Sequence, residues 1–115
     1  LSAKARSQVR FFCDDKFALT VVPYSQFVEV GAGPDGVDDV VSAMRDIDGV
    51  ELAIVLRGLE NGEIRGNVRS QEYFDCSAFA AGFGGGGHLR AAGFNASGDV
   101  NELAEEVIKR VQATL

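Results

Sequence analysis

Residues 49–70 read GVELAIVLRGLENGEIRGNVRS, and this stretch decides the fold class. Residues 51–56 are almost wholly apolar, which is typical of a central strand buried on both faces. Asn61-Gly62 is the strongest short hairpin signal in the chain. Along residues 63–70, polar side chains alternate with small or apolar ones, as they do in a half-buried strand. One face would carry small and apolar residues and the other polar ones: Ile64, Gly66 and Val68 against Arg65, Asn67 and Arg69.

Upstream of this hairpin the sequence predicts further strands and a helix. Residues 9–13 and 17–22 are apolar runs split by Asp14-Asp15-Lys16, which indicates another hairpin. Pro23 ends the second run, and residues 26–30 are a third extended candidate. A helix follows, with Asp35 as its cap and Gly49 as its stop. Its apolar face is spaced at helical intervals: Val37, Val40, Val41, Met44 and Ile47.

Downstream of the hairpin lie two capped helices and a strand. Asp75 would cap a short helix over residues 78–80, and residues 91–96 are a short strand. Asp99 with Glu102 forms a capping-box pattern at the start of the last helix. The apolar stripe of that helix is Val100, Leu103, Ala104, Val107, Ile108, Val111 and Leu115. This order of elements fits an α/β or an α+β fold with one sheet. We predict the α/β class: a mixed sheet of about five strands with helices packed on it.

Length and composition fit a single compact domain. The chain has 115 residues, of which 46% are hydrophobic and 24% charged. Residues 1–8 are predicted to be a lead-in and residues 9–115 the domain. The sequence has no apolar run long enough to span a membrane and no signal peptide at residues 1–10, so we expect a cytoplasmic protein. Cys13 and Cys76 are expected to be reduced thiols, small and buried.

The sharpest motif is the run Gly84-Gly85-Gly86-Gly87-His88, followed by Ala91-Ala92-Gly93. Four consecutive glycines cost backbone entropy, so an ordered run needs a reason. One reason is the close approach of a ligand, whose anion the backbone N–H groups would hold while His88 donates to it. The alternative is a flexible surface connector.

Charge distribution favours an anion near this loop. The net charge is −6, which argues against a generic nucleic-acid coat. Between Arg57 and Arg90, four arginines balance four acids, while the rest of the chain holds 7 basic and 13 acidic residues. Arg69 lies at the end of its strand, where it would grip a phosphate bidentately. The alternative for this face is a solvated side of an edge hairpin.

Other motifs are weaker. Gly31, Gly33 and Gly36 fit G-x-G-x-x-G, with Glu51 near the place of a ribose-binding acid. Pro34 inside the motif favours a plain turn before a helix instead. A single histidine excludes a Cys/His zinc site, and neither glycine cluster continues into the Lys-Ser or Lys-Thr of a P-loop.

The glycine-histidine run with its Ala-Ala-Gly tail resembles the signature of the DHH-associated domain. This domain is the C-terminal, substrate-binding half of DHH-family phosphoesterases. The resemblance covers residues 9–113 and is strongest to the branch with oligoribonuclease and phosphoadenosine-phosphate phosphatase activity. Weaker agreement lies in residues 49–53, in Asn61-Gly62 and in residues 68–70. Gly58 and Asn67 depart from the pattern, since an acid and a serine are common there, which leaves the substrate preference open.

The resemblance implies a site for a nucleotide and its phosphates, with His88 as the catalytic residue facing the scissile bond. It implies ten substrate-binding residues: Arg69, Ser70, Gly84, Gly85, Gly86, Gly87, His88, Ala91, Ala92 and Gly93. The family's two divalent metals, Mn²⁺ or Mg²⁺, lie in an N-terminal catalytic domain. That domain is absent from this chain, so the chain alone is predicted to be inactive and to hold no metal.

The first functional hypothesis is therefore the substrate-binding domain of a metal-dependent phosphoesterase. Its substrates would be short single-stranded RNA or DNA, or 3′-phosphoadenosine 5′-phosphate. Its partners would be its own N-terminal domain and, as an open alternative, a second copy in a homodimer. A rival hypothesis is a stand-alone nucleotide- or RNA-binding module, and a third is an interaction domain whose glycine loop is only a connector.

Overall fold

The computed structural model describes residues 8–24 and 34–115. Its strands are β1 (Arg10–Phe12), β2 (Phe17–Val22), β3 (Leu52–Gly58), β4 (Ile64–Ser70), β5 (Gly86–Gly87) and β6 (Ala91–Ala96). Its helices are α1 (Pro34–Arg45), α2 (Cys76–Ala81) and α3 (Val100–Thr114).

All six strands form one mixed sheet in the order β1-β2-β3-β4-β6-β5. β2 and β3 are parallel, and every other neighbouring pair is antiparallel. Parallel neighbours need a crossover connection, and α1 lies within the one that joins β2 to β3. The predicted α/β class is confirmed, with six strands in place of about five.

Helices cover both faces of the sheet. β3 is buried from Leu52 to Leu56, as its apolar sequence predicts. Its Leu52, Ile54 and Leu56 join the core beneath α2 and α3. Its Ala53 and Val55 join a smaller core beneath α1, with Val41 and Met44. α1 lies over β3 and β4, so one end of α1 comes close to the polar face of β4.

Most of the local predictions are confirmed. The hairpin at Asn61-Gly62 joins β3 to β4, with Gly62 at a positive φ of 86°. The β1–β2 hairpin turns through Cys13, Asp14 and Asp15, all with positive φ.

Two of the three predicted N-caps form. The Asp75 carboxylate accepts the N–H of Ala78, and that of Asp99 accepts the N–H groups of Asn101 and Glu102. The apolar side of α3 is buried at Ala104, Val107, Ile108 and Val111.

Some sequence predictions lie outside the described residues: the third strand at 26–30, residues 1–7 of the lead-in, and the glycines at 31 and 33. The prediction that Asp35 caps the first helix is wrong, because α1 begins at Pro34 and Asp35 therefore lies inside it. No helix in the described part of the chain is both long and apolar enough to cross a membrane. Cys13 and Cys76 are free thiols; Cys76 is buried and Cys13 half-buried.

Candidate functional site

Three arginines lie on one face of the sheet, because successive side chains of β3 and β4 point to opposite faces. Arg65 and Arg69 project from β4 on the face of Asn67, as the sequence predicts, and Arg57 of β3 stands directly opposite Arg65. The three arginines line one open cavity of about 460 Å³. The other residues around it are Asp38, Asn67, Gly86, Gly87, His88, Ala91, Ala92 and Gly93.

The Arg65 side chain lies across β6, where it passes over Gly93. A side chain at residue 93 would collide with it in this position. Its Nη1 donates to Asn95 Oδ1 at 3.3 Å. A Cβ on Gly93 would come within 2.4 Å of Arg65 Nη2. The missing side chain at Gly93 therefore makes room for the guanidinium on the sheet, which is a reason for the small residue at this point of the motif.

Arg69 is held by both strand and helix. Its Nη1 donates to the carbonyls of Val68 and Ala92, at 2.9 Å and 3.3 Å. Its Nη2 donates to Asp38 Oδ1 of α1 at 3.1 Å. The Arg69 side chain is 18% exposed and that of Asp38 is 57% exposed. Arg69 thus reaches the cavity from a fixed position, with one carboxylate already bound to it.

The glycine run packs against the protein itself. A Cβ on Gly85 would lie 2.2 Å from the carbonyl oxygen of Gly93, and a Cβ on Gly87 would lie 2.6 Å from Ala92 Cα. The predicted close approach is therefore real, but it is the approach of β6 rather than of a ligand. Gly86 and Gly87 pair with β6 as strand β5, and these two glycines line the cavity while Gly84 and Gly85 do not.

Several amides of this run have internal partners. The N–H groups of Gly84 and Gly85 donate to Ala81 and Ala80, at 3.0 Å and 2.8 Å, and that of His88 donates to the Ala91 carbonyl at 2.7 Å. In this conformation these three amides do not form the predicted anion-binding concavity. Positive charge on the cavity comes from the arginine side chains instead.

His88 lies at the turn between β5 and β6. Its backbone exchanges hydrogen bonds with Ala91, which closes a tight turn. The residue is exposed and lines the cavity. The structure therefore brings His88 together with Arg69, Gly86, Gly87 and the Ala91-Ala92-Gly93 tail, as the sequence predicts.

Ser70, like Gly84 and Gly85, is a predicted site residue that does not line the cavity. It follows Arg69 in β4, so it faces the opposite side of the sheet and is only 2% exposed. Its Oγ donates to the Phe74 carbonyl at 2.7 Å and accepts from Arg90 Nη1 at 2.9 Å. Beside it, burial raises the pKa of the Cys76 thiol. Ser70 is thus part of an internal network, not of the cavity.

Glu51 belongs to the same network and does not bind a ribose. Its carboxylate accepts the backbone N–H groups of Glu72, Tyr73 and Phe74 at 2.9–3.2 Å, and Arg90 Nη1 lies 3.9 Å from it. Glu51 is 5% exposed. The buried carboxylate is therefore satisfied within the protein.

Sequence reasoning missed Arg57 and Asp38 as cavity residues. Arg57 was predictable in principle, because alternation along β3 and the hairpin register place it opposite Arg65. Asp38 was not, because its place depends on how α1 lies across the sheet. Asn67 was placed on the correct face; it is 9% exposed, and its Oδ1 has no hydrogen-bond partner among the described residues.

A second cavity of about 560 Å³ lies on the opposite face of the sheet, between α2 and α3. It is lined mainly by apolar atoms, with Tyr73, Phe79 and Ala113 among its residues. It carries no group of like charges. Within residues 8–24 and 34–115, no three His, Cys, Asp or Glu side chains cluster as a metal site would require.

Fold and site together define an α/β domain with a basic, glycine-edged sheet face. Residues 14–115 match the family model of the DHHA1 domain. The chain belongs to this family, which confirms the resemblance drawn from the glycine-histidine motif.

Among its relatives is the bifunctional oligoribonuclease and PAP phosphatase NrnA of Thermus thermophilus, 33% identical over 88 residues. The match covers 76% of this chain and 26% of NrnA, so the chain spans about a quarter of the length of this curated relative.

Solved structures share the fold. An exopolyphosphatase-related protein from Bacteroides fragilis superposes with a TM-score of 0.81 at 24% identity, over 93% of this chain and 32% of that one. The pGpG-specific phosphodiesterase PggH from Vibrio cholerae gives 0.65 at 13% identity, over 95% and 36%. The C-Ala domain of Aquifex aeolicus alanyl-tRNA synthetase gives 0.60 at 11% identity, over 86% and 97%.

Proposed function

We propose that this chain is the substrate-binding domain of a metal-dependent phosphoesterase. Its substrates would be short oligonucleotides, 3′-phosphoadenosine 5′-phosphate, or both. Membership of the DHHA1 family and the two activities of the relative NrnA support this proposal. The observation that carries it is the cluster of Arg57, Arg65 and Arg69 on one cavity beside His88.

The charge of the cavity suits a phosphate ligand. Among the described residues that line the cavity, three arginines face one acid, Asp38, so these side chains carry a net charge of +2 before His88 is counted. The whole chain carries −6. Guanidinium groups match the geometry of phosphate oxygens and bind them bidentately. The positive charge is thus concentrated where a phosphate would bind.

The size of the cavity suits a short ligand. A volume of about 460 Å³ lies within the range of small-molecule sites. A long polyanion gains affinity from many basic contacts spread along its path, and an acidic chain repels one. The domain would therefore hold one or two terminal nucleotides rather than a long strand.

His88 would act at the rim of this cavity. An exposed imidazole there donates a hydrogen bond to a phosphate oxygen and, when protonated, offsets the charge of the transition state. The catalytic metals, Mn²⁺ or Mg²⁺, would be supplied by an N-terminal domain of the full-length protein and would activate the attacking water. In this proposal the chain's own residues bind and orient the phosphate.

A nitrogen-15 titration tests the binding step. The labelled chain is titrated, without metal, with a dinucleotide carrying a 5′-phosphate. We expect shifts confined to the amides around the cavity: Gly86, Gly87, His88, Ala92 and Gly93. Arg65→Gln should weaken binding tenfold or more, because a hydrogen bond to a charged group contributes about 1.5–3 kcal/mol.

Lys109→Gln is the matched control, because it removes the same charge from an exposed site on α3. Equal weakening by both variants, or shifts spread over α3, would contradict the proposal. Nucleotide binding without catalysis predicts the same titration. An activity assay of the full-length protein separates the two functions. A phosphoesterase hydrolyses the dinucleotide and loses this activity in His88→Ala, whereas a binding module does not hydrolyse it.

A further inference from the structure

We propose that the carboxylate of Asp38 competes with the ligand: it is bound to Arg69, and a phosphate must displace it in order to bind there. The inference rests on the proposed function, because it concerns the same cavity. Its observation is the contact of Asp38 Oδ1 with Arg69 Nη2 at 3.1 Å, at the wall of the arginine cluster. Asp38 is the one acid among the described residues that line this cavity.

The orientation of Arg69 does not depend on Asp38. Two backbone carbonyls hold the other end of the guanidinium, since Nη1 donates to Val68 at 2.9 Å and to Ala92 at 3.3 Å. Both carbonyls belong to the β4–β6 ladder, which is fixed by pairing along six residues. When Asp38 leaves, Nη2 stays in place and is free to donate to a ligand.

The Asp38 contact is weak enough to be replaced. Asp38 is 57% exposed, so water solvates its carboxylate when it leaves Arg69. An exposed ion pair contributes little net free energy. A phosphate offers the same acceptor chemistry, and a further phosphate oxygen would also contact Arg65 on the same cavity. The exchange is therefore favourable for an anion of higher charge than a carboxylate.

This exchange makes α1 part of the binding site. With Asp38 in place, the Nη2 of Arg69 is occupied and a carboxylate charge lies at the wall of the cavity. With a phosphate in place, Asp38 is released to solvent and only its charge still opposes the ligand. The chain thus carries its own competitor, which lowers the affinity for every anion that binds at Arg69.

The test compares Asp38→Asn with Asp39→Asn. Asp39 is the next residue of α1, is exposed, and makes no ion pair within the described part of the chain. The two variants change the net charge and the first half of α1 equally. Isothermal titration would measure binding of inorganic phosphate and of the 5′-phosphorylated dinucleotide, each at about 0.01 M and 0.15 M salt.

We expect Asp38→Asn to bind both ligands about two- to fivefold more tightly than the unmodified chain, the range set by an exposed ion pair. Part of the gain should remain at about 0.15 M salt, where the Debye length is about 8 Å, because the competition is by direct contact. Asp39→Asn should gain less than Asp38→Asn at low salt and nothing at the higher salt. Asp38→Ala should reproduce the Asn variant.

Other results overturn the inference or the proposed function separately. If Asp38→Asn binds no better than Asp39→Asn, or binds worse, Asp38 is not a competitor, and the proposed function stands wherever the dinucleotide still binds. If phosphate binds more tightly to Asp38→Asn but the dinucleotide does not bind to any form, the competitor is confirmed and the proposed function fails. If neither ligand binds to any variant, both fail.

Discussion

Three of the four consecutive glycines meet different steric conditions, so the run is not a uniform flexible linker. Gly84 has a φ of 81°, which disfavours any side chain. Gly85 lies against the backbone of β6, where a Cβ would collide with Gly93 and Phe94. A methyl group at Gly86 would meet no atom of the described residues within 4 Å, apart from its neighbours in the chain. Backbone conformation and packing against β6 thus place separate demands on neighbouring glycines.

The first prediction compares Gly85→Ala with Gly86→Ala. A methyl group at Gly85 would lie 2.2 Å from a backbone oxygen that cannot move alone, so the β5–β6 pair must separate. We expect a loss of about 1–3 kcal/mol in the free energy of unfolding, as overpacking typically costs. Gly86→Ala should stay within about 0.5 kcal/mol of the parent. Urea denaturation checks both; equal stability of the two variants would favour a loose connector.

At the scale of single residues, the sequence predicts which side chains share a face of the sheet better than it predicts which side chains pair. Alternation along residues 63–70 was enough to place Arg65 and Arg69 on one face. It also places Ser70 on the other face, so the same rule, applied strictly, removes Ser70 from the site. The pairing of Arg69 with Asp38 joins residues 31 apart in sequence. No local pattern specifies such a pair.

At the scale of elements, the capped helices were predictable and β5 was not. An N-cap depends on residues within three positions of each other, so Asp75 and Asp99 can be identified from the sequence. Glycine is depleted in strands, and Gly86–Gly87 becomes one only because β6 lies beside it. The sixth strand is therefore a product of tertiary packing.

The second prediction concerns the cap of α2 and its dependence on pH. The Asp75 carboxylate accepts from the Ser77 hydroxyl at 2.6 Å and from the Ala78 N–H at 3.0 Å. These bonds, that to Ser77 above all, hold the pKa of Asp75 below its usual value. A carboxyl whose pKa is lowered by folding stabilises the fold above its unfolded pKa of about 3.9, and this contribution is lost as the pH falls through the folded pKa.

We therefore expect Asp75→Ala to lower the melting temperature at pH 7, by an amount that shrinks steadily as the pH falls below about 4. Thermal unfolding followed by circular dichroism at several pH values checks this. Glu105→Ala, an exposed change on α3, serves as the control. If the melting temperature of Asp75→Ala stays below that of the parent by the same amount down to about pH 2, the charge of the cap does not contribute to stability.

At the scale of the whole molecule, the mixed sheet separates structural from ligand-facing polar groups. The face under α1 carries Arg57, Arg65 and Arg69 around the cavity. The edge of the other face carries a network of two buried residues, Glu51 and Ser70, and the partly exposed Arg90. The class of fold followed from the central strand, its hairpin and the order of the strands and helices around them. The division between the two polar groups did not, because it depends on where the helices lie and where the 71–75 segment folds back.

The last prediction tests Glu51 as the junction of this structural network. Its backbone N–H donates to Lys16 and its carbonyl accepts from Gln71, while its carboxylate holds three successive amides of residues 72–74. One residue thus connects the first hairpin, the two central strands and the approach to α2. Glu51→Gln replaces one acceptor oxygen with a donor that faces backbone donors, and it removes the charge close to Arg90.

We expect Glu51→Gln to cost about 2–4 kcal/mol in the free energy of unfolding, because hydrogen bonds to a buried charge are lost and donors are left unpaired. Glu105→Gln, an exposed isosteric change on α3, should cost less than about 0.5 kcal/mol. In hydrogen exchange, the amides of Tyr73 and Phe74 should lose protection first, since they donate directly to Glu51. If Glu51→Gln lowers the free energy of unfolding no more than Glu105→Gln does, packing holds the segment 71–75 in place and this carboxylate does not.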